Sequence, residues 1–127
     1  MERMYKVVLS PQSDDGYLVY SPDFDINTYG HGLNDALFMA RDAIAETGLA
    51  YEDMGQEIPE PSHKEPILEN GDIVGLVSVD FDEHRKMTDT KKVNTNVSIR
   101  AYIKRKAEKA KLNLSNTLEE AILAKVK

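Results

Sequence analysis

Residue patterning predicts an α+β chain in two pieces: an N-terminal antiparallel sheet with one helix, in the order ββ(β)αβ, then a strand and two helices. One support is alternation near the C-terminus. Val93, Thr95, Val97 and Ile99 alternate with Asn94, Asn96 and Ser98, the period of a half-buried strand. Another is helical periodicity, because Leu33, Ala36, Leu37, Ala40 and Ile44 fall on one helix face. The third is a reversal of charge. Residues 1–81 hold 4 Lys and Arg against 16 Asp and Glu, whereas residues 82–127 hold 12 against 6.

Tyr5–Leu9 is apolar and Val-rich enough for a first strand. Ser13-Asp14-Asp15-Gly16 is a turn signal with Gly16 available for positive φ, so Tyr17–Ser21 returns as the hairpin partner. Pro22-Asp23 interrupts it, and Ile26–Tyr29 forms a short third strand that ends at Gly30. A helix follows from Leu33 to about Glu46, with Asn34 and Asp35 in its first turn and Gly48 as a stop signal. Glu57-Ile58-Pro59-Glu60-Pro61-Ser62 cannot continue a helix and reads as an extended loop. Ile73–Val79 is the last strand of the first piece. The polar run Asp82–Thr90 is read as a linker, giving boundaries of 1–81, 82–91 and 92–127.

In the C-terminal piece the strand Val93–Ile99 leads into helices over Tyr102–Leu112 and Asn116–Lys127, split by Asn113-Leu114-Ser115. Ser115 is placed as the N-cap of the second helix. About 36 residues are too few to bury a core alone, so the piece is expected to pair with a copy of itself. Two paired strands would present Asn94, Asn96 and Ser98 as a polar ribbon that fits a DNA major groove. Asn suits adenine, Ser several bases, and Lys92 a backbone phosphate. Free N–H groups at Ser115 and Asn116 would suit a phosphate as well. The bland alternative is a solvated edge strand, but exposed asparagines are poor strand formers, which favours DNA contact. The basic first helix, with Lys104, Arg105, Lys106, Lys109 and Lys111, reads mainly as a solvated face.

This strand and two helices resemble the ribbon-helix-helix DNA-binding fold, with one departure. Where members often carry Gly at the end of the first helix, this chain offers Lys111 or Asn113. In residues 5–80, Asp14-Asp15-Gly16-Tyr17, Ser21-Pro22-Asp23-Phe24, Thr28-Tyr29-Gly30, Asp35-Ala36 and Ile58-Pro59-Glu60-Pro61-Ser62 together resemble the HicB-type antitoxin family. That resemblance implies a degenerate RNase H-like domain ahead of a DNA-binding module. It also implies neutralisation of a small basic HicA-like ribonuclease toxin and repression of the operon encoding both proteins. The partners expected are therefore that toxin, operator DNA, and a second copy of the chain as a homodimer or higher homo-oligomer.

No enzyme activity is expected. Asp14, Asp15, Asp23 and Asp25 could suggest two-metal phosphoryl transfer, but they fall in turns, where Asp serves the backbone. His31, His63 and His84 lack ligand-like spacing, so neither metal nor other cofactor is expected. The chain has no cysteine, which excludes disulfides and thiolate sites. It has no run of 18 apolar residues and no signal-like start, which points to a cytoplasmic chain without a membrane partner. A stand-alone ribbon-helix-helix regulator, whose first domain senses a ligand or oligomerises, is the competing expectation.

Overall fold

Turn chemistry sets the first hairpin of the computed structural model, which describes residues 2–126. Strand β1 (Glu2–Pro11) turns at 12–15 into β2 (Gly16–Ser21), closed by Gln12 N–H to Gly16 carbonyl at 2.8 Å. The positive φ falls on Asp15, at 65°, rather than on Gly16. Glycine is needed at 16 for a different reason: a Cβ there would meet the Tyr29 side chain. The chain then forms β3 (Ile26–His31), α1 (Leu33–Asp53), β4 (Ile73–Asp80) and α2 (Phe81–Thr88). The four strands make one antiparallel sheet in the order β3-β2-β1-β4.

Strand alternation sends one row of side chains to the helix-covered face of the sheet. Tyr5, Val7 and Leu9 of β1, Val19 of β2, and Val77 and Val79 of β4 are buried there. Against them lies a small-residue face of α1, with Ala36, Ala40, Ile44, Ala45 and Leu49 buried. Tyr5 is fully buried; its ring packs edge-on against Phe24 and Phe81, with centroids 5.1 and 6.2 Å away. Its hydroxyl donates to the Pro59 carbonyl at 2.7 Å, which ties the loop 54–72 to the sheet. Burial raises the Tyr5 phenol above its ordinary value, since removal from water disfavours the charged form.

Helix α1 runs about two turns past the expected end. Gly48 is not a stop but a contact point, because a Cβ there would lie 2.4 Å from the Phe81 ring. The helix ends at Gly55, where Gln56 N–H bonds the Tyr51 carbonyl and Gly55 N–H bonds Glu52, a Schellman closure. The expected linker is partly helical. Asp80 caps α2 by accepting from Glu83 N–H at 3.0 Å, and Phe81 inserts into the core. Arg85 of α2 binds Glu52 at 3.1 Å and Asp53 at 2.9 Å on α1. Sequence patterning missed this helix because it buries a single apolar residue.

The chain divides into two compact units, Met1–Lys91 and Lys92–Lys127. The second contains α3 (Ala101–Lys109) and α4 (Leu114–Lys125). Residues 89–100 carry no regular secondary structure, so the expected strand Val93–Ile99 is absent from the single chain. A strand is defined by hydrogen bonds to a neighbouring strand, and unit 2 supplies none within itself. No helix of unit 1 covers the outer face of its sheet, where the loop 54–72 reaches Lys6 through Glu65 and Ser10 through Asp72. Register places Leu18 and Tyr20 of β2, Val8 of β1, and Val74 and Leu76 of β4 on that face. All of these but Val8 are exposed.

Candidate nucleic-acid interface

The interface residues expected from the sequence lie in unit 2 and divide between two places. Lys92, Asn94, Asn96 and Ser98 occupy the irregular segment 89–100 and are exposed. Ser115 and Asn116 begin α4, also exposed. The structure brings Asn96 and Ser115 to one groove of about 550 Å³, lined by Val97, Ile99, Ile103 and Leu118 among others.

The cap of α4 is Asn113, not Ser115. Its backbone is extended, and its Oδ1 accepts from Asn116 N–H at 3.1 Å. Ser115 is the second residue inside the helix. The groups at this terminus with neither an intrahelical acceptor nor the cap are therefore the N–H of Leu114 and of Ser115. Helix α3 closes in a Schellman motif. Leu112 N–H bonds the Ala107 carbonyl at 3.0 Å and Lys111 N–H bonds Glu108 at 3.1 Å. The left-handed position is Lys111, with φ of 55°, so a lysine occupies the place that favours glycine. Asn113, the other candidate for this conformation, has φ of −81°.

Unit 2 has almost no interior. Ala107 is its one buried residue among those described, while Val93 is 79 %, Val97 61 %, Ile99 48 % and Ile122 50 % exposed. Ile103, Leu112, Leu114 and Leu118 are also exposed. An apolar surface of this extent is unusual for a unit of 36 residues.

The carboxylates of unit 1 have local structural work. Asp14 accepts from the Tyr29 hydroxyl at 2.7 Å and from Gly16 N–H at 3.1 Å. These bonds, that from Tyr29 foremost, hold its carboxyl below the ordinary value and raise the Tyr29 phenol. Asp25 accepts from the Tyr20 hydroxyl and Asp23 from Ser62 N–H. His31 lends its main-chain N–H to Asp35 at 2.8 Å, and its ring packs edge-on against Tyr29. Among the described residues, the ligand atoms that gather as a group are those of Asp42, Glu46 and His84, not those of the turn aspartates. The sequence signal for that trio was faint: two acids four apart on α1 and a histidine about 40 residues later.

The chain is similar in structure to two solved proteins. One is a toxin–antitoxin complex from Streptococcus pneumoniae, at 23 % identity and a TM-score of 0.59, covering 98 % of this chain and 99 % of that one. The other is the antitoxin HicB of Burkholderia pseudomallei, at 23 % identity and a TM-score of 0.54, covering 96 % of this chain and 95 % of that one. The fold is shared. No family model matches the sequence, and no curated protein matches it. No described helix is long and apolar enough to cross a membrane.

Proposed function

We propose that this chain is the antitoxin of a HicA/HicB-type toxin–antitoxin module. Unit 1 neutralises a small basic mRNA-cleaving toxin, and unit 2, paired with a second copy, binds operator DNA and represses the operon. The observation that carries this reading is the likeness to the antitoxin HicB over 96 % of the chain, in a sequence whose charge reverses between its two parts.

The physical support for pairing is the missing interior of unit 2. Two copies of segment 93–99, laid antiparallel, complete each other's hydrogen bonds and cover Val97 and Ile99 with the partner's apolar groove. Asn94, Asn96 and Ser98 then face outward as the DNA-reading row, a ribbon-helix-helix arrangement. Lys92 and the free N–H groups of Leu114 and Ser115 at the start of α4 reach backbone phosphates. For the toxin, unit 1 offers net negative charge beside the helix-free sheet face with Leu18, Tyr20 and Leu76. Complementary charge speeds the encounter, and apolar contact holds the complex. Unit 1 as a degenerate RNase H-like domain needs no catalysis for this role.

The test is a growth rescue. The adjacent small basic reading frame is induced alone, with this chain, and with residues 1–91, a boundary that keeps α2 on its core. Arrest relieved by both versions supports an antitoxin whose first unit suffices. A harmless neighbour, or arrest never relieved, leaves a stand-alone ribbon-helix-helix regulator.

A further inference from the structure

Asp42 and Glu46 stand one turn apart on α1, and His84 reaches toward them from α2. One ligand atom from each of the three lies within 4.8 Å of the others. His84 Nε2 is 3.9 Å from Asp42 Oδ1, too far for a hydrogen bond between them. Although the imidazole as a whole is 17 % exposed, Nε2 has no solvent-accessible surface and no hydrogen-bond partner. A nitrogen cut off from water and left unpaired is unusual in a native fold. Two like charges four apart on a helix also repel. The nearby cations do not relieve this. Arg85 is committed to Glu52 and Asp53, and Arg41 lies over the Phe38 ring.

One ligand answers both conditions. We propose that Asp42, Glu46 and His84 bind a single divalent transition-metal ion of the zinc type. Nε2 and one oxygen from each carboxylate supply three ligands, and the adjoining surface groove supplies water to the fourth position. A tetrahedral ion with bonds of about 2.0–2.1 Å holds its ligands about 3.4 Å apart, so the side chains close by an ångström or so. Glu46 is exposed and free to make that adjustment. An imidazole nitrogen beside two carboxylates suits Zn²⁺, Co²⁺ or Ni²⁺. Mg²⁺ and Ca²⁺ prefer all-oxygen sites. Because the ligands come from two helices, the ion cross-links α2 to α1 beside the contact of Phe81 with Gly48. Mass action then stabilises the docked helix from which the chain leaves unit 1. The proposal stands whether or not the chain is an antitoxin.

The test is calorimetric titration of the tag-free full chain with ZnCl₂, with Co²⁺ absorption as a second readout. One equivalent should bind, and the ion should raise the unfolding temperature of unit 1. Glu46→Gln, His84→Ala and Asp42→Asn should each weaken binding tenfold or more, while His31→Ala and His63→Ala leave it unchanged. Glu46→Gln alters an exposed side chain that no core contact uses, so it reports even where the other two disturb packing. Absence of binding at millimolar Zn²⁺ overturns the site. So does binding that Glu46→Gln leaves intact or that His31→Ala or His63→Ala removes.

Discussion

Single side chains carry the sharpest expectations. Asp14 and Tyr29 share a hydrogen bond that pushes the carboxyl pKa down and the phenol pKa up. A depressed carboxylate contributes stability above its unfolded value, near 3.8, and loses it as pH falls through the folded value. A raised phenol contributes stability below 10.0 and loses it as pH rises through its folded value. The gap in denaturation midpoint between the parent and Tyr29→Phe should therefore be open at neutral pH and close at both extremes. A gap that does not vary with pH would assign the tyrosine's role to packing alone. On the proposed DNA surface, Asn96→Ala should cost roughly 1–3 kcal/mol at the operator and relax sequence choice, measured by binding to matched and altered sites. Unchanged affinity would place the reading row on the other face of the segment. These side chains were legible to different degrees. The placement of the aspartates in turns was visible, but the tyrosine hydroxyls that bond Asp14 and Asp25 were not, nor was the Asn113 cap, because Asn and Ser two positions apart satisfy the same preference.

At the level of elements, strands and α1 could be read because their apolar residues recur at the strand and helix periods over several positions. Helix α2 could not. Its sequence after Phe81 is polar, and what holds it is a cap, a two-acid clamp on Arg85 and one ring against Gly48. None of these has a periodic signature. The strand expected over Val93–Ile99 had such a signature, but the segment carries no regular structure in the single chain, where no neighbouring strand pairs with it. The turn between α3 and α4 stores strain, since Lys111 sits in the left-handed region, which disfavours side chains with a Cβ. Lys111→Gly should raise the stability of unit 2 by about 1 kcal/mol, measured as a higher unfolding midpoint at fixed chain concentration. A lower midpoint would mean that the lysine makes a compensating contact across the paired copies.

For the whole molecule, the two units differ in how they should hold together. Unit 1 has a continuous core under one sheet face, whereas unit 2 buries Ala107 alone among its described residues. Heating should therefore produce two transitions. That of unit 1 should not depend on chain concentration, and that of unit 2 should rise with it, as expected when folding and pairing are one event. A concentration-independent second transition would show that unit 2 is stable as a monomer. The exposed segment 89–100 adds a consequence in the cell. A backbone without regular hydrogen bonds is where proteases cut, and pairing is what would shield this one. On the proposed function, cleavage there as copies become scarce would remove the operator-binding unit first and leave the acidic unit intact. Repression would then lapse, and new synthesis resume, before protection against the toxin is lost.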